Sequence, residues 1–174
     1  MILPIIGYGH ETLRVECTPF DDTPKNREII TDLKETMLNI PTAVGLALPQ
    51  VNLPFRGFVM RNDSSIVQVC LNPIIKKRRK KQVSNEGCLS IPQVYKDLNV
   101  RDEIIDVEFY DENFNKKSFK LKDFESIVFQ HEYDHLNGVL FVDYLTKEGR
   151  EEIQDKLNEI EKGYTPTAYP MLFK

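Results

Sequence analysis

His131 and His135 bracket Glu132 in the run Gln130-His131-Glu132-Tyr133-Asp134-His135. Residues four apart on an α-helix share a face, so two imidazoles at this spacing can reach one metal ion together. The glutamate between them then stands beside the metal's open position, where its carboxylate can take a proton from bound water. The alternative is a histidine pair facing solvent. With only three histidines in 174 residues, chance seldom supplies both the spacing and the glutamate.

A catalytic metal typically has three protein ligands and leaves a position for water, so the chain must supply one more. Cys88, in Glu86-Gly87-Cys88-Leu89-Ser90, adjoins a glycine that permits a tight turn. A lone cysteine is more often a buried small hydrophobe, so this segment alone leaves both readings open. The run Ala43-Val44-Gly45-Leu46-Ala47-Leu48-Pro49-Gln50 has small residues that let a backbone approach a ligand closely, and it ends in an amide side chain.

Three stretches read as the helices that would position these groups. In the first, Thr23 caps, Pro24 suits the first turn, and Ile29, Ile30, Leu33, Met37 and Leu38 recur at helical spacing, to about Ile40. The second starts with Asp123 as cap and carries Phe124, Ile127, Val128, His131, His135 and Leu136, with Gly138 as the stop. Its apolar face would set the ligands in hydrophobic surroundings. The third runs from about Thr146 to Lys162, with Ile153, Leu157 and Ile160 on one stripe and Gly163 at its end.

Strands are expected at Phe55 to Arg61, Ile66 to Asn72, Val100 to Tyr110 and Lys117 to Leu121. Ile105, Val107 and Phe109 alternate with Asp106, Glu108 and Tyr110, and the turn around Asp111 to Asn115 suggests an antiparallel hairpin. Strands segregated between helices, without a βαβ rhythm, predict an α+β fold: antiparallel sheets around a central metal-binding helix, flanked by an N-terminal and a C-terminal helix. Residues 1–174 would form a single domain, a size that builds its own core. Three cysteines without framework spacing point to a reducing compartment, and the start of the chain carries no basic leader or long apolar run. A cytoplasmic protein with no membrane contact is expected. A net charge of −4 gives no global attraction to nucleic acid, and no DNA partner is expected.

Together the three segments resemble the peptide deformylase family, metal hydrolases that remove the N-formyl group from new bacterial and organellar polypeptides. Glu86 to Ser90 and Gln130 to His135 agree with two family motifs throughout, while in the remaining one Ala43 replaces a glycine and Leu48 an alanine. The resemblance extends from Met1–Pro4 through the segment Gly138 to Leu145. It implies Cys88, His131 and His135 as metal ligands and Glu132 as general base and then acid. A metal-held hydroxide would attack the formyl carbon and formate would leave. The Gln50 amide and the Leu89 backbone N–H would hold the developing oxyanion.

Backbone at Val44, Gly45 and Gly87 would keep an N-formylmethionyl nascent peptide extended, like an added strand. Val44, Val128 and His131 would line the methionine pocket. The working metal implied is Fe2+, with Zn2+, Ni2+ or Co2+ able to substitute, although ligand softness alone favours zinc.

Several features point beyond that core. Leu48 adds volume beside the expected cleft and, with Ala43, is expected to reshape it. The basic run Lys76 to Lys81 would suit a transient ribosome contact through RNA phosphates, or else blunt a strand edge. The acidic excess from Glu148 to Glu161 argues against docking through the C-terminal helix. Arg101 could brace Glu86 or be an ordinary surface arginine, and Asp134 is expected to point to water. Two competing readings remain at this point. A zinc endopeptidase would not need Gln50 or Glu86 to Ser90, and a metal-braced, non-catalytic RNA module would not need Glu132.

Overall fold

The computed structural model describes residues 1–173. Its fold is α+β, built on a five-stranded antiparallel sheet that runs β2 (Gly45–Ala47), β3 (Gly57–Arg61), β4 (Val67–Cys88), β5 (Ile91–Tyr110), β6 (Lys116–Lys122) in spatial order. A small parallel sheet pairs β1 (Ile5–Ile6) with β7 (Met171–Leu172), so not every sheet is antiparallel as expected. Four helices complete it: α1 (Pro24–Leu38), α2 (Asp123–His135), α3 (Lys147–Glu151) and α4 (Gln154–Glu161). Among the described residues, no helix is long and apolar enough to cross a membrane.

Helix α1 begins as expected, with the Thr23 hydroxyl accepting the Asn26 N–H at 3.2 Å and Pro24 in the first turn. Its inner face packs Ile30, Leu33 and Met37 against Leu46, Leu48, Val59 and Leu71 of the sheet region. A second core lies under α2, where Phe129 meets Phe58 edge-on with ring centroids 5.1 Å apart. Truncating a fully buried phenylalanine of this kind costs about 3–5 kcal/mol, so this contact anchors the helix to the sheet. A third cluster joins Ile91, Val94 and Leu98 of β5 to Phe141, Leu157 and Ile160.

The expected C-terminal helix is two helices. Thr146 caps α3 through the Gly149 N–H, but the chain breaks at Ile153, whose ψ of 0° is not helical. Ile153, Leu157 and Ile160 still share one buried stripe, so the core contact survives the break.

Strands β4 and β5 run far past the expected segments. The basic run Lys76 to Lys81 in the added part of β4 is polar on both faces and carries no alternation, so cross-strand pairing makes it a strand, while the added part of β5 buries Ile91, Val94 and Leu98. Arg79 donates to Asp106 at 2.6 and 2.8 Å, Lys80 to Glu103 at 3.2 Å, and Arg78 and Lys81 to Asp102 at 3.0 and 2.8 Å. Strand β3 pairs with Val67–Leu71 of β4 only, which leaves the basic run on a strand edge with much of its charge already matched by β5.

Leu48 does not reach the cleft. It is fully buried in the core under α1, where Gly57 makes room: a Cβ on Gly57 would lie 2.9 Å from Leu48 Cδ1. The extra volume is absorbed by the missing side chain opposite, and of the two departures only Ala43 lines the cleft.

Candidate active site

Helix α2 and the hairpin end of β4 bring the sequence-predicted ligands together. The metal-ligating atoms of Cys88, His131 and His135 all lie within 4.8 Å of one another. Cys88 ends β4, opposite Ile91 across the turn Leu89–Ser90, and a register shift at Gly87/Cys88 re-aims its side chain. A Cβ on Gly87 would lie 2.6 Å from the Tyr95 ring on the neighbouring strand, so a larger residue here would displace that ring.

Helix α2 starts one residue earlier than expected: Lys122 is its cap, and Asp123 is the first helical residue with a φ of +49°. Its sequence stripe is also used differently. Phe124 is exposed and, with Ile127 and Val128, lines a cleft of about 400 Å³, while Phe129 on another face enters the core. Gln130, given no role by sequence reasoning, locks the helix to β5. Its amide donates to the Asp102 and Ser126 carbonyls at 2.9 Å each and accepts the Asp102 N–H at 3.0 Å.

A buried polar network fixes His131. Its Nδ1 donates to Glu86 Oε1 at 2.9 Å, which leaves Nε2 as the free ligand atom. Arg101, 3% exposed, donates to both Glu86 oxygens at 2.8 Å and to Asp134 Oδ2 at 2.6 Å, and Ser84 donates to Glu86 Oε2 at 2.6 Å. Arg101 is therefore the brace, not a surface arginine. Asp134 faces this network instead of water, accepting also from the Tyr144 hydroxyl at 3.0 Å. Burial alone would raise the Glu86 carboxyl, but Arg101 and His131 outweigh it and hold it well below the usual carboxylate range.

Glu132 sits differently. It is 4% exposed, and its Oε2 has no hydrogen-bond partner among the described residues. Burial is the main cause that pushes its carboxyl up to about 7. Gly45 gives it space: a Cβ at that position would lie 2.8 Å from Glu132 Cδ and collide with Oε1.

Gln50 is 2% exposed and held at both ends of its amide. Oε1 accepts the Ala47 N–H at 2.9 Å, and Nε2 is aimed at Cys88 Sγ at 3.4 Å and Ser90 Oγ at 3.3 Å. The cleft is lined by Val44, Gly45, Gln50, Gly87, Cys88, Leu89, Val128, His131 and Glu132, so all the predicted positions except His135 meet there. His135 closes the group from beneath, its Nε2 3.4 Å from Cys88 Sγ. Among the described residues, strand β2 pairs only with β3, which leaves its other edge free beside the cleft.

The family model described as polypeptide deformylase matches residues 2–151. The chain belongs to that family. It is 39% identical to the peptide deformylase of Flavobacterium psychrophilum, over 98% of this chain and 96% of that protein. The peptide deformylase of Chlorobaculum parvum is 36% identical over 98% and 94% of the two chains. The crystal structure of the peptide deformylase from Thermus thermophilus superposes with a TM-score of 0.86 at 36% identity, covering 94% of this chain and all of that one. With membership in the deformylase family comes the activity: removal of the N-formyl group from new polypeptides, by a metal-dependent hydrolase.

Proposed function

We propose that the chain's own residues divide the labour of deformylation, with Cys88, His131 and His135 holding the metal. The donor set fits: 3.4 Å between Cys88 Sγ and His135 Nε2 is close to the separation of two ligands on one tetrahedral ion with bonds of roughly 2.3 and 2.0 Å. When bound, the metal supplies Lewis acidity to the formyl oxygen and to water, and its charge opposes the upward pull of burial on Glu132.

Glu132 takes the proton from the attacking water and returns it to the leaving amine nitrogen. Its buried, unpartnered Oε2 beside the ligand cluster is the observation that carries this reading, because a merely structural metal site needs no such group. Gln50 Nε2, immobilised through its oxygen, and the Leu89 N–H donate to the oxyanion that forms on the formyl group. The free edge at Val44 and Gly45, with Gly87 opposite, holds the peptide extended, and Val44, Val128 and His131 receive the methionine side chain. That pocket is apolar where Val44 and Val128 line it, which suits a thioether.

We assign Fe2+ as the working metal, with Ni2+, Co2+ or Zn2+ able to replace it, and the cytoplasm as the place of action, where formylated chains emerge. Transient ribosome contact through Lys76 to Lys81 would have to compete with the acidic partners on β5. Charge reversal of the run followed by ribosome co-sedimentation tests it, and unchanged binding removes the run from consideration.

The deciding experiment is formate release from a formyl-methionyl peptide by anaerobically prepared Fe2+ protein, beside the Glu132→Gln variant. The parent is expected to release formate, and the variant, with equal metal content, to lose about 10³-fold in kcat. A folded, metal-loaded parent that releases no formate overturns the assignment.

A further inference from the structure

The family match ends at residue 151, yet residues from beyond it line the cleft: Pro166, Thr167, Ala168 and Tyr169. This segment is a strap tied at both ends. Beyond it, the Ile5 N–H donates to the Pro170 carbonyl at 2.9 Å and the Gly7 N–H to the Leu172 carbonyl at 2.8 Å, which forms the β1–β7 sheet. Phe173 closes over two glycines, and a Cβ on Gly7 or Gly163 would lie 2.8 or 3.1 Å from its ring. Before it, Gln93 donates to the Pro166 carbonyl at 3.0 Å, and Thr167 donates to the Tyr169 carbonyl at 2.7 Å.

The strap also reaches the turn that carries the oxyanion donor. The Tyr169 hydroxyl donates to the Leu89 carbonyl at 2.8 Å. The next carbonyl, Ser90, accepts the Tyr8 N–H at 2.8 Å, and the Ser90 hydroxyl accepts from Gln50. The turn Leu89–Ser90 is thus clasped by the strap, the N-terminal segment and the amide of the site. The Leu89 carbonyl and the Leu89 N–H belong to adjacent peptide units hinged at the Leu89 Cα, so clasping the carbonyls of Leu89 and Ser90 restricts the turn's backbone rotation and with it the orientation of the donor, which sets its contribution to the transition state.

The wall itself is small and uncharged. Ala168 is exposed, Thr167 is half-buried, and the strap's cleft-lining residues carry no ionisable group except the Tyr169 phenol, whose hydroxyl is engaged with Leu89. Such a surface accommodates neutral side chains of modest size. Among the described residues, the strap is hydrogen-bonded to Gln93 and Leu89 at the β4–β5 turn and to none of Val44, Val128 and His131, the residues proposed above for the methionine side chain, which assigns it to the peptide residues after the methionine.

We propose that the C-terminal strap Pro166–Tyr169 is a substrate-contacting wall of the cleft that selects the peptide residues after the formyl-methionine, and that Tyr169 is a positioning residue for the Leu89 turn. This rests on the deformylase reading of the site. Two variants of the full-length metal-loaded chain test it. Tyr169→Phe removes one neutral hydrogen bond, worth about 1 kcal/mol, and is expected to lower kcat about five-fold with KM within two-fold of the parent. Ala168→Trp adds bulk to the wall and should shift the preference between formyl-Met-Ala-Ser and formyl-Met-Phe-Phe about ten-fold, mostly through KM.

The chain has no tryptophan, so that second variant also carries a single indole in the wall. Titration with acetyl-Met-Ala-Ser, which offers no formyl group, is expected to change its emission saturably. An unchanged preference with an indole silent at saturating peptide overturns the wall, and a Tyr169→Phe enzyme with altered melting temperature but unaltered kcat overturns the positioning role. A parent that fails to release formate counts against the deformylase reading instead, and the indole titration still reports on the wall.

Discussion

The two sides of helix α2 are built on opposite rules. On the side of His131, each Glu86 oxygen accepts two hydrogen bonds and all three guanidinium nitrogens of Arg101 donate. On the side of Glu132, which faces Gly45, one carboxylate oxygen is buried with no partner among the described residues. The contrast separates two tasks. Saturation keeps one ring orientation and one tautomer at His131; a group that exchanges protons, such as Glu132, must not be committed to a fixed partner.

The largest effect is expected from breaking the saturated side. Arg101→Met leaves Glu86 and Asp134 buried without their cation and should cost about 3–5 kcal/mol of stability, read from denaturant midpoints. Metal affinity should fall about 10–100-fold, because the partner that orients His131 is no longer held. The pH dependence gives an independent check. Glu86 has a folded-state pKa depressed below its usual 4.5, so its contribution is fully present above that value and is lost as pH falls towards the folded pKa. Metal-free parent protein should therefore hold its stability down to about pH 5 and lose it below. In Arg101→Met, burial is no longer outweighed, and the acid limb should move to higher pH. Overlapping acid limbs would show that the network does not set the Glu86 charge.

A smaller effect, confined to the open side, is expected from Gly45→Ala. The new methyl takes the space of the Glu132 carboxyl, and displacement of a reacting group by about 1 Å typically costs about 100-fold in rate. Stability and metal content should stay near the parent values, since no saturated group is touched. A variant with full kcat would mean that Glu132 has room to work from another position.

The same contrast governs what could be read from the sequence. His131, Glu132 and His135 were legible because their spacing in one short run carries the chemistry, whereas Cys88 and Gln50 gained roles only through the family resemblance of their segments. Helix α1 was legible for a similarly local reason, through Thr23, Pro24 and a regular apolar stripe. What depends on distant partners was not. Lys76 to Lys81 gives no strand signal, because its alternation lies in acidic residues about 25 positions away on β5. Asp134 looked like a solvent-facing helix residue, since nothing near it announces that Arg101 will be buried beneath it. Leu48 looked like an obstruction in the cleft until Gly57, the glycine that accommodates it, was brought opposite. The strap from Pro166 to Tyr169 has no motif at all; its signal is only the pair of short apolar segments at the two ends of the chain that meet as β1 and β7.

The smallest expected effect tests how far the saturated side extends. Tyr144 donates to Asp134 Oδ2, the same oxygen that takes the Arg101 bond, and the Arg101 guanidinium lies over the Tyr144 ring at 5.1 Å from its centroid. The ring is partly exposed, so both contacts are diluted by water. Tyr144→Phe keeps the ring and deletes only the hydroxyl, and should lower stability by roughly 0.5–1 kcal/mol, with metal affinity within about two-fold of the parent. Asp134→Asn, which weakens the Arg101 bond itself, should lie between this variant and Arg101→Met on both measures. If Tyr144→Phe instead matched Arg101→Met in metal affinity, the hydroxyl would have to be counted among the groups that hold His131, and the boundary between the two sides of α2 would move out to the protein surface.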